Sequence, residues 1–92
     1  MPKNNIQPGV YILQSLKNKT YYIGSTINIE ERFNEHNLGK VAATKHLRPW
    51  ILMLFYKTLT TKEARQIEYK LKKFKSRKIK EKIIKNQKIT IK

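Results

Sequence analysis

The chain has 92 residues, 39% hydrophobic and 29% charged, which suits one domain with a single modest core. Its 21 lysines and arginines face 6 acidic residues, and the resulting charge of +15 favours a nucleic-acid partner through counterion release from phosphates. Without cysteine there is no disulfide, thiolate nucleophile or cysteine-based zinc site, and no apolar run is long enough to span a membrane.

Residues 1–8 are polar, hold two prolines and lack an apolar signal-peptide core, so a cytoplasmic location is expected. Val10-Tyr11-Ile12-Leu13 and Thr20-Tyr21-Tyr22-Ile23 are β-branched and aromatic and predict two strands. The turn-like segment Ser15 to Lys19 joins them as a hairpin. Asn28 caps a helix running to Asn37, with Glu31 at the capping-box position and Ile29 and Phe33 as an i, i+4 apolar pair. Residues 38–49 form a basic loop with Lys40, Lys45, His46 and Arg48, closed by Pro49.

Trp50 to Tyr56 is the most hydrophobic run and is read as the buried central strand. Thr60 and Glu63 form a second capping-box pattern and launch a helix through Phe74, whose apolar stripe is Ala64, Ile67, Leu71 and Phe74. Ser76 opens a last basic helix over 76–86, with Ile79, Ile83 and Ile84 facing inward. The order β-β-α-β-α-α predicts a single α+β domain over 1–92, a small three-stranded antiparallel sheet flanked by helices.

Gly9-Val10-Tyr11 followed by Tyr22-Ile23-Gly24 resembles the GIY-YIG endonuclease signature, with valine for isoleucine in the first half. The resemblance continues through Arg32, His36 at the family's Tyr or His position, and Glu68 on the later helix. It covers residues 8–75. Each tripeptide alone is weak, but the elements together stand in the right order and spacing. The chain is most similar to small stand-alone bacterial members, related to the N-terminal nuclease domain of the excision-repair C subunit. One departure is an asparagine that the family often carries downstream of its metal glutamate. Here that region reads Lys78-Ile79-Lys80-Glu81, and Asn86 lies too far along to match.

The resemblance implies that the hydroxyls of Tyr11 and Tyr22 meet the scissile phosphate, Tyr11 as general base and Tyr22 as positioning donor. A phenol with a pKa of ~10 needs a nearby cation to serve as a base at neutral pH. Tyr21 and Tyr56 are read as packing residues. Gly9 and Gly24 would permit close backbone approach or simply serve turn geometry. Arg32 and His36, at i and i+4, share a helix face. Arg32 would stabilise charge on the phosphate, or else pair with Glu35 or Glu31. His36 would relay a proton or orient the phosphate; the alternative is an exposed histidine beside Asn34 and Asn37 with no role.

There is no aspartate, and the acids are Glu30, Glu31, Glu35, Glu63, Glu68 and Glu81. So few carboxylates argue for a single divalent ion rather than a two-metal site. Glu68, among Arg65, Lys70, Lys72, Lys73 and Lys75, is the expected ligand for Mg²⁺ or Mn²⁺; the alternative is an i, i+4 pair with Lys72. Lys70, Lys73 and Arg77, within a basic tail running from Lys70 through Lys88, and Lys40, Lys45 and Arg48, on the loop from Gly39 to Arg48, are the expected phosphate contacts.

The function these features imply is a metal-dependent endonuclease acting on DNA rather than RNA, with structure-specific cutting in repair or recombination. A non-catalytic nucleic-acid-binding protein on the same scaffold and an accessory subunit of a repair complex are the alternatives. A dimer or partner protein stays open. Membrane binding by the basic helix is disfavoured, because it lacks aromatic anchors.

Overall fold

Side chains alternate across a strand, and Gly9–Ser15 (β1) carries apolar residues on both sides. Such a strand needs cover above and below. The computed structural model, which describes residues 6–89, provides it; residues 1–5 of the polar lead-in lie outside the described residues. β1 is the middle strand of an antiparallel sheet, between Tyr21–Thr26 (β2) and Trp50–Lys57 (β3). The helices are Ile29–Asn37 (α1), Thr61–Lys73 (α2) and Arg77–Asn86 (α3), with a 3₁₀ turn at Lys45–Leu47. The order is β-β-α-β-α-α, the α+β arrangement expected.

The sheet separates two apolar clusters. On one face Val10, Ile12, Ile23 and Leu54 pack with Ala64 and Leu71 of α2 and Ile83 of α3. On the other, Tyr11, Leu13 and Trp50 pack with Ile29 and Phe33 of α1 and with Leu47. Each large buried side chain contributes roughly 1.5–3 kcal/mol, so a strand buried on both faces dominates the core.

The most hydrophobic run is not the central strand. β3 lies at an edge of the sheet, and its Ile51 and Leu52 are 37% and 40% exposed. Trp50 and Leu54 are buried, one on each face. Hydrophobicity reports how much of a strand's faces can be covered, but says nothing about whether both of its edges are paired. Gln87, just beyond α3, donates its side-chain N–H to the Met53 carbonyl at 3.1 Å.

The helix starts follow the capping pattern in part. The Asn28 side chain accepts from the Glu31 N–H, and the Thr60 hydroxyl accepts from the Glu63 N–H, each at 3.1 Å. The return bonds differ from a full capping box: Glu63 reaches the Leu59 N–H, and the Asn28 N–H is taken by the Thr26 hydroxyl. Two bonds fix the end of α1 to β3. The Trp50 N–H donates to Asn37 Oδ1 at 2.7 Å, and Asn37 Nδ2 donates to the Trp50 carbonyl at 3.0 Å.

The hairpin turn hangs on Ser15, which is fully buried. Its hydroxyl accepts from the N–H groups of Lys17 and Asn18 and donates to the Leu47 carbonyl at 2.8 Å, tying the turn to the basic loop. Ser15→Ala strands those groups and is expected to cost about 2 kcal/mol, read by urea unfolding. A change inside experimental error would show that the turn holds without the hydroxyl.

Candidate active site

Ile29, Phe33 and His36 fall at i, i+4 and i+7 of α1, one stripe of the helix, and the stripe faces the sheet. His36 is therefore fully buried, and the reading of an idle surface histidine is wrong. Its Nε2 lies 2.8 Å from the Tyr11 hydroxyl and its Nδ1 lies 2.8 Å from Thr44 Oγ1. Tyr11 is itself 1% exposed. Its ring crosses Gly24, where a Cβ would collide with the hydroxyl and ring carbons of Tyr11. A Cβ on Gly9 would meet the Phe55 ring and the Tyr56 carbonyl. Both glycines thus serve close approach.

Tyr22 completes the cluster, its ring centroid 5.2 Å from that of His36 and 6.4 Å from that of Tyr11. Arg32, one turn before His36, binds Glu35 at 3.0 Å, so the expected intrahelical pair exists. Burial pushes the Tyr11 phenol above its ordinary pKa, and the neighbouring Arg32 guanidinium pulls the other way. Tyr11 is therefore a protonated phenol at neutral pH. Burial first, then the charge of Arg32, lowers His36 to about 4, so the imidazole is neutral. Among the described residues, His36 Nε2 is the hydrogen-bond acceptor within reach of the Tyr11 hydroxyl, and Arg32 offers donors alone. The direction of this bond follows from the tautomer of the imidazole: with hydrogen on Nδ1, the phenol donates to Nε2.

Glu68 is rooted on α2, across the sheet from the phenol rings, yet its carboxylate reaches the open edge of β2. Ser25 donates its hydroxyl to Glu68 Oε1 at 2.6 Å, and Lys72 Nζ lies 2.7 Å from Oε2. Lys72 also stands 5.9 Å from the Tyr22 ring centroid, linking carboxylate and phenols along that edge. The Glu68 side chain is 20% exposed, partly sheltered but open to solvent. Its negative charge adds to the upward push on Tyr11. A groove of about 330 Å³, lined by Ser25, Thr26, Ile27, Thr61, Ala64 and Arg65, opens beside it.

No group of three His, Cys, Asp or Glu gathers among the described residues, so no preformed cage exists there. One carboxylate beside a hydroxyl is a donor set of hard oxygens. It fits Mg²⁺ or Mn²⁺ that keeps water and substrate oxygens as its other ligands.

The predicted phosphate contacts are spread over the surface. Lys40, Lys45 and Arg48 are exposed on the basic loop, where Arg48 Nε donates to the Lys45 carbonyl at 2.8 Å. Arg77 is engaged twice, with Glu81 at 2.9 Å and stacked 4.5 Å from the Tyr21 ring centroid. Lys73 Nζ stands over Tyr69. Lys70 leaves α2 two residues after Glu68, on nearly the opposite side, so Lys72 is the cation beside the carboxylate. Thr44 and Ser25 escape the sequence reading: each is a small hydroxyl residue outside any periodic pattern. The spacing of Ile29, Phe33 and His36 was the available sign that the histidine is buried.

A model of the GIY-YIG catalytic domain matches residues 7–87. The chain belongs to the GIY-YIG family. It is 39% identical over 66 residues to a UPF0213 protein of Staphylococcus haemolyticus (strain JCSC1435), covering 71% of this chain and 79% of the relative. Over 42 residues it is 55% identical to a UPF0213 protein of Syntrophus aciditrophicus (strain SB), covering 44% of this chain and 47% of that one. The latter match spans less than half of that relative's length. No solved structure matches the chain. The GIY-YIG domain family is of endonuclease type, which implies a nucleic-acid substrate. Among the described residues, no helix is long and apolar enough to cross a membrane.

The burial of His36 sets a pH dependence of stability. Its folded pKa of about 4 lies below the ordinary 6.5, so below 6.5 the unfolded chain binds the extra proton. The contribution of a neutral His36 is fully present above pH 6.5 and is lost as pH falls toward 4. The loss should approach about 3 kcal/mol in urea unfolding, and His36→Gln should flatten this part of the curve. An unchanged curve in that variant would refute the assignment.

Proposed function

We propose that this GIY-YIG chain is a divalent-metal-dependent endonuclease that hydrolyses phosphodiester bonds in DNA. The observation that carries the reading is the hydrogen bond between Tyr11 and a neutral, buried His36 beside Arg32. A phenol held in this way acts as a base without first becoming phenolate. As an attacking water gives a proton to Tyr11 Oη, the phenol passes its own to His36 Nε2. The water oxygen forms a bond to phosphorus while the bond to the leaving oxygen breaks.

His36 is a weak base through burial first and the charge of Arg32 second. A phosphate beside Arg32 neutralises the second of these and so raises the proton affinity of the imidazole in part as substrate arrives. Arg32 also meets the negative charge that grows on the phosphate oxygens, and the hydroxyl of Tyr22 orients the phosphate. Glu68, with water and substrate oxygens, would hold Mg²⁺ or Mn²⁺, whose charge polarises the phosphate. Lys72 and Arg65 line the approach at the β2 edge, and Lys40, Lys45 and Arg48 track the backbone from the basic loop.

A non-catalytic binding protein on the same scaffold draws support from one feature: both Glu68 oxygens already have protein partners in Ser25 and Lys72. Nicking of supercoiled plasmid separates the two. The enzyme reading expects cleavage that requires Mg²⁺ or Mn²⁺. Tyr11→Phe and Glu68→Gln should each lower it by roughly 100-fold or more, with DNA affinity held within about threefold. Salt-sensitive binding with no products under either ion would leave the binding reading in its place.

A further inference from the structure

His36 has a second ring nitrogen, and what that nitrogen meets decides what the first can do. Nδ1 lies 2.8 Å from the hydroxyl of Thr44, a residue of the basic loop that is fully buried. We propose that Thr44 is a positioning residue: its hydroxyl holds His36 in the Nδ1–H tautomer, which leaves Nε2 free to take the proton of Tyr11. The inference rests on the nuclease reading for its consequence, though not for its geometry.

The hydrogen-bond inventory supports one direction along the chain of groups. With hydrogen on Nδ1, Tyr11 donates to Nε2, Nδ1–H donates to Thr44 Oγ1, and the threonine hydroxyl donates to the Val41 carbonyl at 3.4 Å. Every buried donor then has an acceptor. In the other tautomer Nε2–H would point at the Tyr11 oxygen, where Arg32 already directs positive charge. The phenol hydrogen would then lose its acceptor, a costly state for a group removed from water. That tautomer would also bar proton transfer, because Nε2 would already carry a hydrogen.

The loop is built to keep Thr44 in place. The Trp50 indole N–H donates to the Thr44 carbonyl at 2.9 Å, and the Thr44 N–H donates to the Val41 carbonyl at 3.0 Å. Trp50 is itself clamped at both backbone groups by Asn37, next to His36 in α1. The backbone of Thr44 is thus held by bonds that any residue could make there. Its hydroxyl is the atom that acts on the imidazole.

Long-range proton–nitrogen correlation of the His36 ring, on full-length protein free of metal and DNA, reads the tautomer directly. Hydrogen on Nδ1 is expected; hydrogen on Nε2 in the wild type overturns the inference without any variant. Thr44→Val keeps the shape of the side chain and removes its hydroxyl. It should shift the ring toward Nε2–H and lower plasmid nicking by about 10–100-fold at unchanged DNA affinity. Thr44→Ser should restore both the tautomer and most of the rate. A valine variant that keeps the tautomer and the rate refutes the role. If the wild type nicks nothing with either ion, the nuclease reading fails, and the ring spectra still decide whether Thr44 fixes the imidazole.

Discussion

An imidazole shut away from water must find partners for both nitrogens, and it resists taking a proton because the charge cannot be hydrated. His36 lives under that constraint, and much of the surrounding structure answers to it. One nitrogen is met from β1 and the other from the basic loop, so the ring joins the central strand to a segment that otherwise lies over the surface. α1 presents the histidine on the same stripe that supplies Ile29 and Phe33 to the core. Packing and proton chemistry therefore share one helix face.

The second requirement is that groups from opposite sides of the sheet meet. Tyr11 and Tyr22 belong to the layer under α1, whereas Glu68 descends from the α2 layer. Both layers border β2, and Lys72 stands between the Glu68 carboxylate and the Tyr22 ring. Gly24 lets the Tyr11 ring pass, and Ser25 anchors the carboxylate on the other face. A side chain at Gly24 would displace the Tyr11 ring, and loss of the Ser25 hydroxyl would free the carboxylate. The signature glycine thus makes room for the signature tyrosine.

Much of this was legible in the residues. The hairpin, the three helix starts and the order of elements follow from β-branched runs, capping residues and i, i+4 stripes. Tyr11, Tyr22, Arg32 and His36 were singled out together, and the structure brings them together. The misreadings have physical causes. Trp50 to Tyr56 looked central because hydropathy cannot distinguish a covered face from a paired edge. His36 was weighed as an exposed histidine, but the stripe it shares with Ile29 and Phe33 buries it. Thr44 left no trace in the pattern, since a buried hydroxyl in a polar loop resembles any loop residue until the fold shows what it faces.

The edge strand β3 sets a further condition on the molecule as a solute. Exposed Ile51 and Leu52 beside an open strand edge invite strand-to-strand association, which the hook from Gln87 to Met53 covers at one carbonyl. With a charge of +15, copies of this chain repel one another before such edges can touch. The cationic surplus that gathers a polyanion thus also acts as a colloidal guard. Concentrated salt would screen attraction to phosphate and mutual repulsion at once, so the conditions that release the ligand are those in which the bare protein is most prone to aggregate.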